Sequence, residues 1–361
     1  MTDTDDDLPW RDLFPQLQQC TYLDTGSAGL STAAHARAAA RFYEDKSAGY
    51  LGRERWQGRA AAVRERLADR LGVAAEELEF FSGTTDALNI VGHGIDWRPG
   101  DEIVVAADEF PSVRLAWGAA ERAGAVLRSV AVADEAARAA TLRAALSPRT
   151  RVLVAAHVHS ITGTRLDLDF LGRACREQDC LLVVDGIHAL GATPVRLEQV
   201  DVYVSGVFKW MLAGFGIAVC VVRERARRQL RPAFRGYLNQ PPAQGLQFAH
   251  INYPAVYALE ASLDLLERTV GWEVVHARTA MLVDTLARSL ERGGIALAAP
   301  PGARAGIASF AVPQAEALRL RLAAQGIHAA ARGPYLRASP FFYNTRADVQ
   351  RLAAEVLRHG R

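Results

Sequence analysis

The sequence predicts an α/β fold with two domains: a large domain on a seven-stranded, mostly parallel sheet, and a small C-terminal α/β domain. From about residue 33, helical and strand patterns alternate with short loops, as in a sheet covered by helices. After the loop 241–245 the pattern changes to two long helices and a smaller α/β unit. A length of 361 residues suits two domains. We place the large domain at 20–270 and the small domain at 1–19 and 271–361.

Apolar runs predict the strands of the large sheet, because strands buried on both faces read as nearly unbroken apolar stretches. These runs are residues 78–81, 102–106, 126–130, 152–156, 181–185, 202–205 and 217–222. Helical periodicity predicts helices at 33–45, 60–71, 85–91, 113–123, 254–269 and 272–291. In the small domain we predict strands near 305–312 and 327–331, and helices near 315–325 and 346–357.

The chain has only two lysines, Lys46 and Lys209, among 42 basic residues. An arginine cannot replace a lysine that forms a Schiff base, because the guanidinium stays protonated. Lys209 follows the predicted strand 202–205 and precedes 217–222, and Asp185 ends the strand 181–185. An aspartate at a strand end, followed by a loop lysine, is the pair that pyridoxal phosphate (PLP) chemistry requires. We therefore predict PLP as cofactor.

The segment 81–89 follows a strand and opens a helix, so its free amides and the hydroxyls of Thr84 and Thr85 could hold a phosphate. The alternative is an ordinary helix N-cap. Asp185 could pair with the pyridine nitrogen of PLP, or it could be a helix cap. His188, three residues further on, and Ser160 could both donate hydrogen bonds to the phenolic oxygen of the cofactor. For His188 the alternative is a polar residue satisfied within the protein.

Composition excludes several classes of protein. The net charge of +2, with no basic block, predicts no nucleic-acid partner, and no apolar run approaches the roughly 20 residues of a membrane span. The acidic residues 1–7 do not resemble a secretion signal, so we predict a cytoplasmic protein.

His157 and His159 could share a face, but no acidic or cysteine partner lies at metal-ligand spacing, so we predict no metal. The four cysteines show no such spacing either, and Cys220 lies within a core strand.

Nearly the whole chain resembles the class V aminotransferases, a group of fold-type I PLP-dependent enzymes that includes cysteine desulfurases, isopenicillin N epimerase-like proteins and carbon–sulfur lyases. The order and spacing of several short segments carry this resemblance. They are YLDTGSAG at 22–29, SGTTD at 82–86, DEFPS at 108–112, HVHSITG at 157–163, VDGIHA at 184–189, the lysine loop at 205–216, NYP at 252–254, and LRASP at 336–340 with YNT at 343–345.

The resemblance implies that Lys209 carries the cofactor and that Asp185 partners its ring nitrogen. It also implies that Phe110 stacks on the ring, where desulfurases have a histidine, and that Thr84 and Thr85 hold the phosphate. Arg337 resembles the arginine that pairs with the substrate α-carboxylate. These enzymes are built as homodimers, so we expect Asn252 to approach the phosphate bound in the partner subunit.

Three departures from the family pattern affect these expectations. Desulfurases carry a nucleophilic cysteine shortly before the carboxylate-binding arginine, whereas the loop 331–337 has none, so we predict no persulfide on the enzyme. His250 stands near the place where many relatives have a phosphate-binding threonine. Ser205 lies four residues before Lys209, where relatives often have three, which leaves its phosphate contact open.

The motifs predict a PLP-dependent enzyme that acts at the α-carbon of an amino acid, and we lead with an aminotransferase. A carbon–sulfur β-elimination lyase and an amino-acid epimerase are the alternatives, because Lys209 can serve as base in all three. A non-catalytic PLP-fold binding protein ranks last, because the lysine and its acid are both present.

Overall fold

A computed structural model describes residues 8–243 and 245–359. Its twelve strands are β1 (Thr21–Tyr22), β2 (Leu78–Phe81), β3 (Glu102–Ala106), β4 (Val126–Val130), β5 (Thr150–Ala156), β6 (Leu181–Asp185), β7 (Val202–Gly206), β8 (Ala218–Val222), β9 (Ala308–Ala311), β10 (Ile327–His328), β11 (Ala330–Arg332) and β12 (Tyr335–Ala338). The predicted fold class is confirmed: β2 to β8 form one seven-stranded sheet, and each strand begins and ends within two residues of its predicted bounds.

The large sheet has the strand order β2-β8-β7-β6-β5-β3-β4. All pairs from β4 to β7 are parallel, and β8 runs antiparallel to both of its neighbours. Apolar side chains cover both faces, in one cluster around Leu153 and Leu182 and another around Val152 and Val183. Consecutive residues of a strand point to opposite faces, which explains why these runs contain no regular polar position.

Twelve α-helices surround the sheets in the described part of the chain. They are α1 (Ala33–Ser47), α2 (Arg53–Leu71), α3 (Thr84–Gly94), α4 (Pro111–Leu115), α5 (Gly118–Arg122), α6 (Arg138–Ala144), α7 (Leu168–Glu177), α8 (Glu224–Arg227), α9 (Tyr253–Leu263), α10 (Trp272–Arg292), α11 (Ala315–Ala324) and α12 (Arg346–His359). Within the described ranges, none of them is long and apolar enough to cross a membrane.

Two predicted helices are wrong in detail. The predicted helix 113–123 is two short helices, α4 and α5. At the break, the buried indole of Trp117 donates to the carbonyl of Val113, an acceptor that a continuous helix would use for its own ladder. The predicted helix 254–269 is α9 followed by a π-helical segment, Asp264–Val270. The sequence analysis also missed α6, α7, α8 and the small strands β1 and β12, and the single strand predicted near 327–331 is two short strands, β10 and β11.

The C-terminal part of the chain forms its own apolar cluster. It joins α10, α11 and α12 to the three-stranded antiparallel sheet β11-β12-β9, with Leu23 from the N-terminal segment. The short parallel pair β1–β10 and the Asp24–Ser339 bridge connect that segment to it. Residues 21–24 lie in the range predicted for the large domain, but here they contact the C-terminal elements. The predicted domains, 20–270 and 1–19 with 271–361, stay a prediction. Residues 1–7, 244, 360 and 361 lie outside the described residues.

Candidate active site

The candidate site lies where the parallel strands end. Asp185 is the last residue of β6 and pairs in register with Ala156, the last residue of β5, while Lys209 follows the end of β7. Ligands bind at this edge of open α/β sheets, because the loops there leave a crevice. A cavity of about 150 Å³ opens at this edge. It is lined by Thr84, Thr85, Phe110, Ser112, Ala156, Ser160, Asp185, Ile187, His188, Phe208 and Lys209.

The Lys209 amine is the only amine among the described residues that line this cavity. Its Nζ lies 3.1 Å from Nε2 of His188. Burial lowers the pKa of Lys209 to about 8; the Asp185 carboxylate opposes this shift, and Arg337 and Arg332 add to it. The N-terminal loop packs directly on this segment, because Gly29 donates to the Phe208 carbonyl and a Cβ at Gly29 would lie 2.0 Å from the Lys209 carbonyl oxygen.

The imidazole of His188 is buried, and burial, followed by the charge of Lys209, lowers its pKa well below the usual value. Its Nδ1 accepts a long hydrogen bond of 3.5 Å from the indole of Trp210. An accepting Nδ1 places the proton of the neutral ring on Nε2, which faces the Lys209 amine. The pair is therefore arranged for an uncharged amine next to an uncharged imidazole.

The Asp185 carboxyl is buried beside this pair. One oxygen, Oδ1, accepts from the Ile187 amide at 3.0 Å, and the other has no hydrogen-bond partner within the described residues. Burial raises the pKa of Asp185 to about 6, against the lowering effects of the Ile187 hydrogen bond and the charge of Lys209. A buried carboxylate with a free oxygen can receive a cationic N–H donor from a ligand in the cavity.

The N-terminus of α3 forms another wall. Gly83 occupies the cap position without a side-chain cap, so the first amides of α3 receive no side-chain acceptor there. Thr84 instead accepts from the Gly206 amide at 2.8 Å, and the Thr85 hydroxyl contacts Ser112 at 2.7 Å. The alternative prediction of an ordinary N-cap formed by these hydroxyls is therefore wrong. These uncapped amides form the positive end of the dipole of α3, a helix of eleven residues, and this end favours an anion.

The segment that carries Phe110 is fixed by the two residues before it. Preceding it, the buried Glu109 accepts from the Ala156 amide at 3.0 Å, while its Oε2 has no partner. Burial raises the pKa of Glu109 to about 7. Asp108 pairs with the buried guanidinium of Arg138, which also holds Glu135 at 2.6 Å. Phe110 itself is half exposed and lines the cavity.

Arg337 lies in β12 and is almost completely buried. Its Nη1 donates to the Ser160 carbonyl at 2.8 Å, and its Nη2 donates to Ser27 Oγ at 2.9 Å and contacts Asp24 at 3.5 Å. Nε has no partner. Burial lowers the pKa of Arg337 to about 10, and Asp24 opposes the shift. The link through Ser160 ties this guanidinium to the cavity wall.

Three predicted phosphate-site residues lie away from the cavity lining. Ser205 is fully buried in β7 and donates to the Gly206 carbonyl at 3.1 Å. Asn252 caps α9 by accepting from Ala255 at 3.3 Å, and with His250 it lines a neighbouring cleft of about 300 Å³ beside Gly216. The structure assigns no ligand to these residues, so their phosphate contacts stay predictions.

His159, Asp108 and Glu135 bring three potential metal-ligand atoms within 4.8 Å of one another. The guanidinium of Arg138 already bonds both carboxylates, and it supplies the positive charge that a cation would bring. His157 points elsewhere, with its ring edge-on to Tyr203 and its Nδ1 unpartnered. The two histidines therefore do not converge on one point.

Sequence reasoning missed Glu109, Ser112, Ile187 and Phe208. Ile187 and Phe208 adjoin predicted residues along the chain, so their presence in the lining follows from proximity alone. For Glu109 the available signal was its place between Asp108 and Phe110 in the DEFPS segment. None of the four cysteines lines the cavity, and Cys175, Cys180 and Cys220 are buried.

Comparison with known proteins identifies the family of the chain. The sequence profile of the family described as aminotransferase class-V matches residues 22–352. Isopenicillin N epimerase of Amycolatopsis lactamdurans is 30% identical over 333 residues, covering 81% of this chain and 82% of the relative. An uncharacterized aminotransferase of Bacillus subtilis (strain 168) is 24% identical, with 96% of each chain covered. A cystine C-S lyase, solved with its reaction product cysteine persulfide, has a TM-score of 0.89 at 23% identity, covering 96% of this chain and 100% of that one.

Proposed function

The chain belongs to the aminotransferase class-V family and is a PLP-dependent enzyme, and from this premise we propose that it is an aminotransferase in which Lys209 moves the proton of the substrate α-carbon. The observation that carries the proposal is the buried Lys209 amine, 3.1 Å from His188 and in the same cavity as Asp185. When bound, PLP withdraws electrons from the α-carbon of an attached amino acid.

The residues present fit this cofactor. Lys209 offers an amine for covalent attachment, and its lowered pKa leaves a useful neutral fraction near pH 7. Asp185 offers a carboxylate oxygen without a partner to a protonated ring nitrogen. The uncapped first turn of α3, with Thr84 and Thr85, would hold the phosphate, and Phe110 would cover the ring. His188 and Ser160 would donate to the phenolic oxygen.

The chain's own residues define the proton path. Arg337 would bind the α-carboxylate, as the family resemblance implies: its Nη1 donates to the carbonyl of Ser160, a residue of the cavity lining, and its buried Nε has no partner. The neutral Lys209 amine would then accept the α-proton; its lone pair is free for this step once the Nε2–H of His188 donates to the phenolic oxygen of the cofactor. Among described cavity residues, His188 is the only imidazole and Lys209 the only amine. Nδ1 of His188 accepts from Trp210 and Nε2 carries the ring proton, so the imidazole has no free lone pair to act as a second base, which favours a reaction with one base over a two-base epimerisation.

Elimination also needs one base, so products must distinguish the reactions. The holoenzyme would be incubated with each of a panel of amino acids, with and without a 2-keto acid acceptor. Transamination predicts a new keto acid that depends on the acceptor and no free ammonia. A lyase would release keto acid and ammonia in equal amounts, with sulfide or a thiol from sulfur amino acids. An epimerase would yield only the opposite enantiomer. Either of the latter results would refute the aminotransferase assignment.

The matched control uses the two lysines. Lys209→Arg should abolish turnover and α-hydrogen exchange, because a guanidinium neither attaches the cofactor nor accepts the proton. Lys46→Arg, at the end of α1, should leave both unchanged. Residual exchange in Lys209→Arg at more than about one-tenth of the wild-type rate would exclude Lys209 as the base, since general-base catalysis typically contributes at least ~100-fold.

We also propose a homodimer. Large apolar side chains that are strongly exposed among the described residues include Tyr50 at 77%, Leu51 at 83% and Phe215 at 68%. Phe215 stacks on Phe208, a cavity residue, with ring centroids 4.4 Å apart. Light scattering should give twice the chain mass, and Leu51→Asp should shift it toward monomer, whereas Leu320→Asp on α11 should not. A cytoplasmic location stays a prediction.

A further inference from the structure

A second guanidinium lies beside that of Arg337. Arg332 ends β11 and pairs in register with Tyr335 of the neighbouring strand β12. Nη2 of Arg332 donates to Ser27 Oγ at 3.3 Å, and Nη2 of Arg337 donates to the same oxygen at 2.9 Å. One neutral hydroxyl thus serves as the common acceptor for two cations.

The carboxylates near this pair do not balance its charge. Asp24 contacts Arg337 at 3.5 Å, and Arg332 forms no ion pair with any carboxylate in the described residues. Its other hydrogen bond goes to the neighbouring Ala331 carbonyl. Glu316 of α11 is held by Arg319 at 2.6 Å. Two guanidinium groups that share one hydroxyl repel each other, so this arrangement favours binding of an additional anion.

The charge of Arg332 also affects two groups in the cavity, Lys209 and His188. Burial is the main cause of the lowered pKa of Lys209 and of His188, and Arg332 contributes to both shifts in the same direction, as does Arg337. The two arginines differ in exposure: Arg337 is buried beside Ser160, whereas Arg332 is exposed. Arg337 is therefore placed for the α-carboxylate, and Arg332 for a group further from the α-carbon.

We propose that Arg332 binds an anionic group on the substrate side chain, so that the preferred substrate is an amino acid with a second acidic group. The proposal rests on the function proposed above, with Arg337 on the α-carboxylate. An exposed arginine that faces only solvent is the simpler reading. Against it stand the shared Ser27 hydroxyl and the lack of a carboxylate partner. Arg332 would thus determine specificity and take no part in the proton transfer.

The experiment compares acids with their uncharged isosteres. The holoenzyme would be titrated with L-aspartate against L-asparagine and L-glutamate against L-glutamine, with binding measured by calorimetry and α-hydrogen exchange measured by NMR in D₂O. The wild type should bind at least one acid about 10-fold or more tightly than its amide, the effect of one charge-assisted contact. Arg332→Gln should reduce that ratio to near one while leaving the affinity for the amide unchanged.

Arg321→Gln provides the matched control, because it removes the same charge from an exposed arginine of α11 that forms no ion pair within the described residues and does not contact Ser27. It should keep the acid preference. Equal affinity for acids and amides in the wild type would overturn the proposal. An equal loss of affinity for acids and for amides in Arg332→Gln would also overturn it. Failure of the proposed function would give a different result: the protein would still bind acids more tightly than amides, and this preference would depend on Arg332, but no amino acid would exchange its α-hydrogen.

Discussion

The substitution Asp185→Asn should have opposite effects on the stability of the cofactor-free protein and on catalysis by the PLP-bound enzyme. The carboxyl is buried, and its pKa rises from 3.8 to about 6 in the fold. A shift of roughly 2 pKa units corresponds to about 3 kcal/mol by which the ionised form destabilises the cofactor-free protein. Because the folded-state pKa is raised, the native state binds more protons than the unfolded chain between about pH 4 and 6. Stability is therefore lost as pH rises through this window.

We expect the cofactor-free wild type to lose about 2–3 kcal/mol relative to Asp185→Asn between pH 4 and pH 8, with most of the change below pH 6.5. The asparagine keeps the acceptor for the Ile187 amide and carries no charge. Urea unfolding at several pH values measures the difference. Asp167→Asn, at the exposed N-cap of α7, is the control and should show no such dependence, because asparagine caps a helix about as well as aspartate.

The same variant should lose catalysis when PLP is bound. An amide cannot stabilise a protonated ring nitrogen, and the loss should raise the barrier by at least ~2 kcal/mol, about 30-fold in rate. Absorbance of the bound cofactor would verify that it is retained. A stability difference that does not change with pH would refute the buried-charge reasoning. Turnover within a few-fold of wild type would remove Asp185 from its proposed role.

Four further predictions concern Lys209, Arg337 and the cysteines. Borohydride reduction of the holoenzyme should fix the cofactor on Lys209 and leave Lys46 unlabelled; label on Lys46 would refute the assignment. The rate of PLP capture by the cofactor-free protein should rise with pH to a midpoint near 8, because only the neutral Lys209 amine reacts; a midpoint above 10 would exclude the lowered pKa. Arg337→Lys should raise KM by roughly 10-fold or more with a smaller change in kcat, because a single ammonium cannot replace the guanidinium fork; an unchanged KM contradicts the carboxylate role. Replacing all four cysteines by serine or alanine should leave turnover unchanged and trap no persulfide, whereas loss traced to one cysteine that carries a persulfide would point to a desulfurase.

The sequence was informative at positions where the local structure or chemistry requires a particular type of residue. The central strands are unbroken apolar runs. Asp185 is the last residue of β6, and Lys209 lies in the loop that follows β7. Parallel strands end at the same edge of a sheet, so the prediction that these residues are close needed only the correct strand order.

The parts that could not be predicted depend on register and on side-chain competition. The pairing of β11 with β12 brings Arg332 and Arg337 to one hydroxyl, and no spacing rule predicts that Ser27, about 300 residues away, supplies it. The break between α4 and α5 arises because the Trp117 indole takes a backbone acceptor. Ser205 was a candidate by its distance along the chain from Lys209, but its hydroxyl donates to the next backbone carbonyl, Gly206.

A single cause, burial, sets the charge states that the proposed chemistry uses. It lowers the pKa of Lys209 from 10.5 to about 8, which raises the neutral fraction of the amine at pH 7 by a few hundred-fold to roughly one-tenth. It raises the pKa of Asp185 only to about 6, so this carboxyl is still mainly ionised at pH 7. The fold thus keeps a usable neutral base and a carboxylate within one cavity. The cost of the buried carboxylate is offset when a cationic ligand group pairs with its free oxygen, which explains why such a residue can persist at the end of the otherwise apolar strand β6.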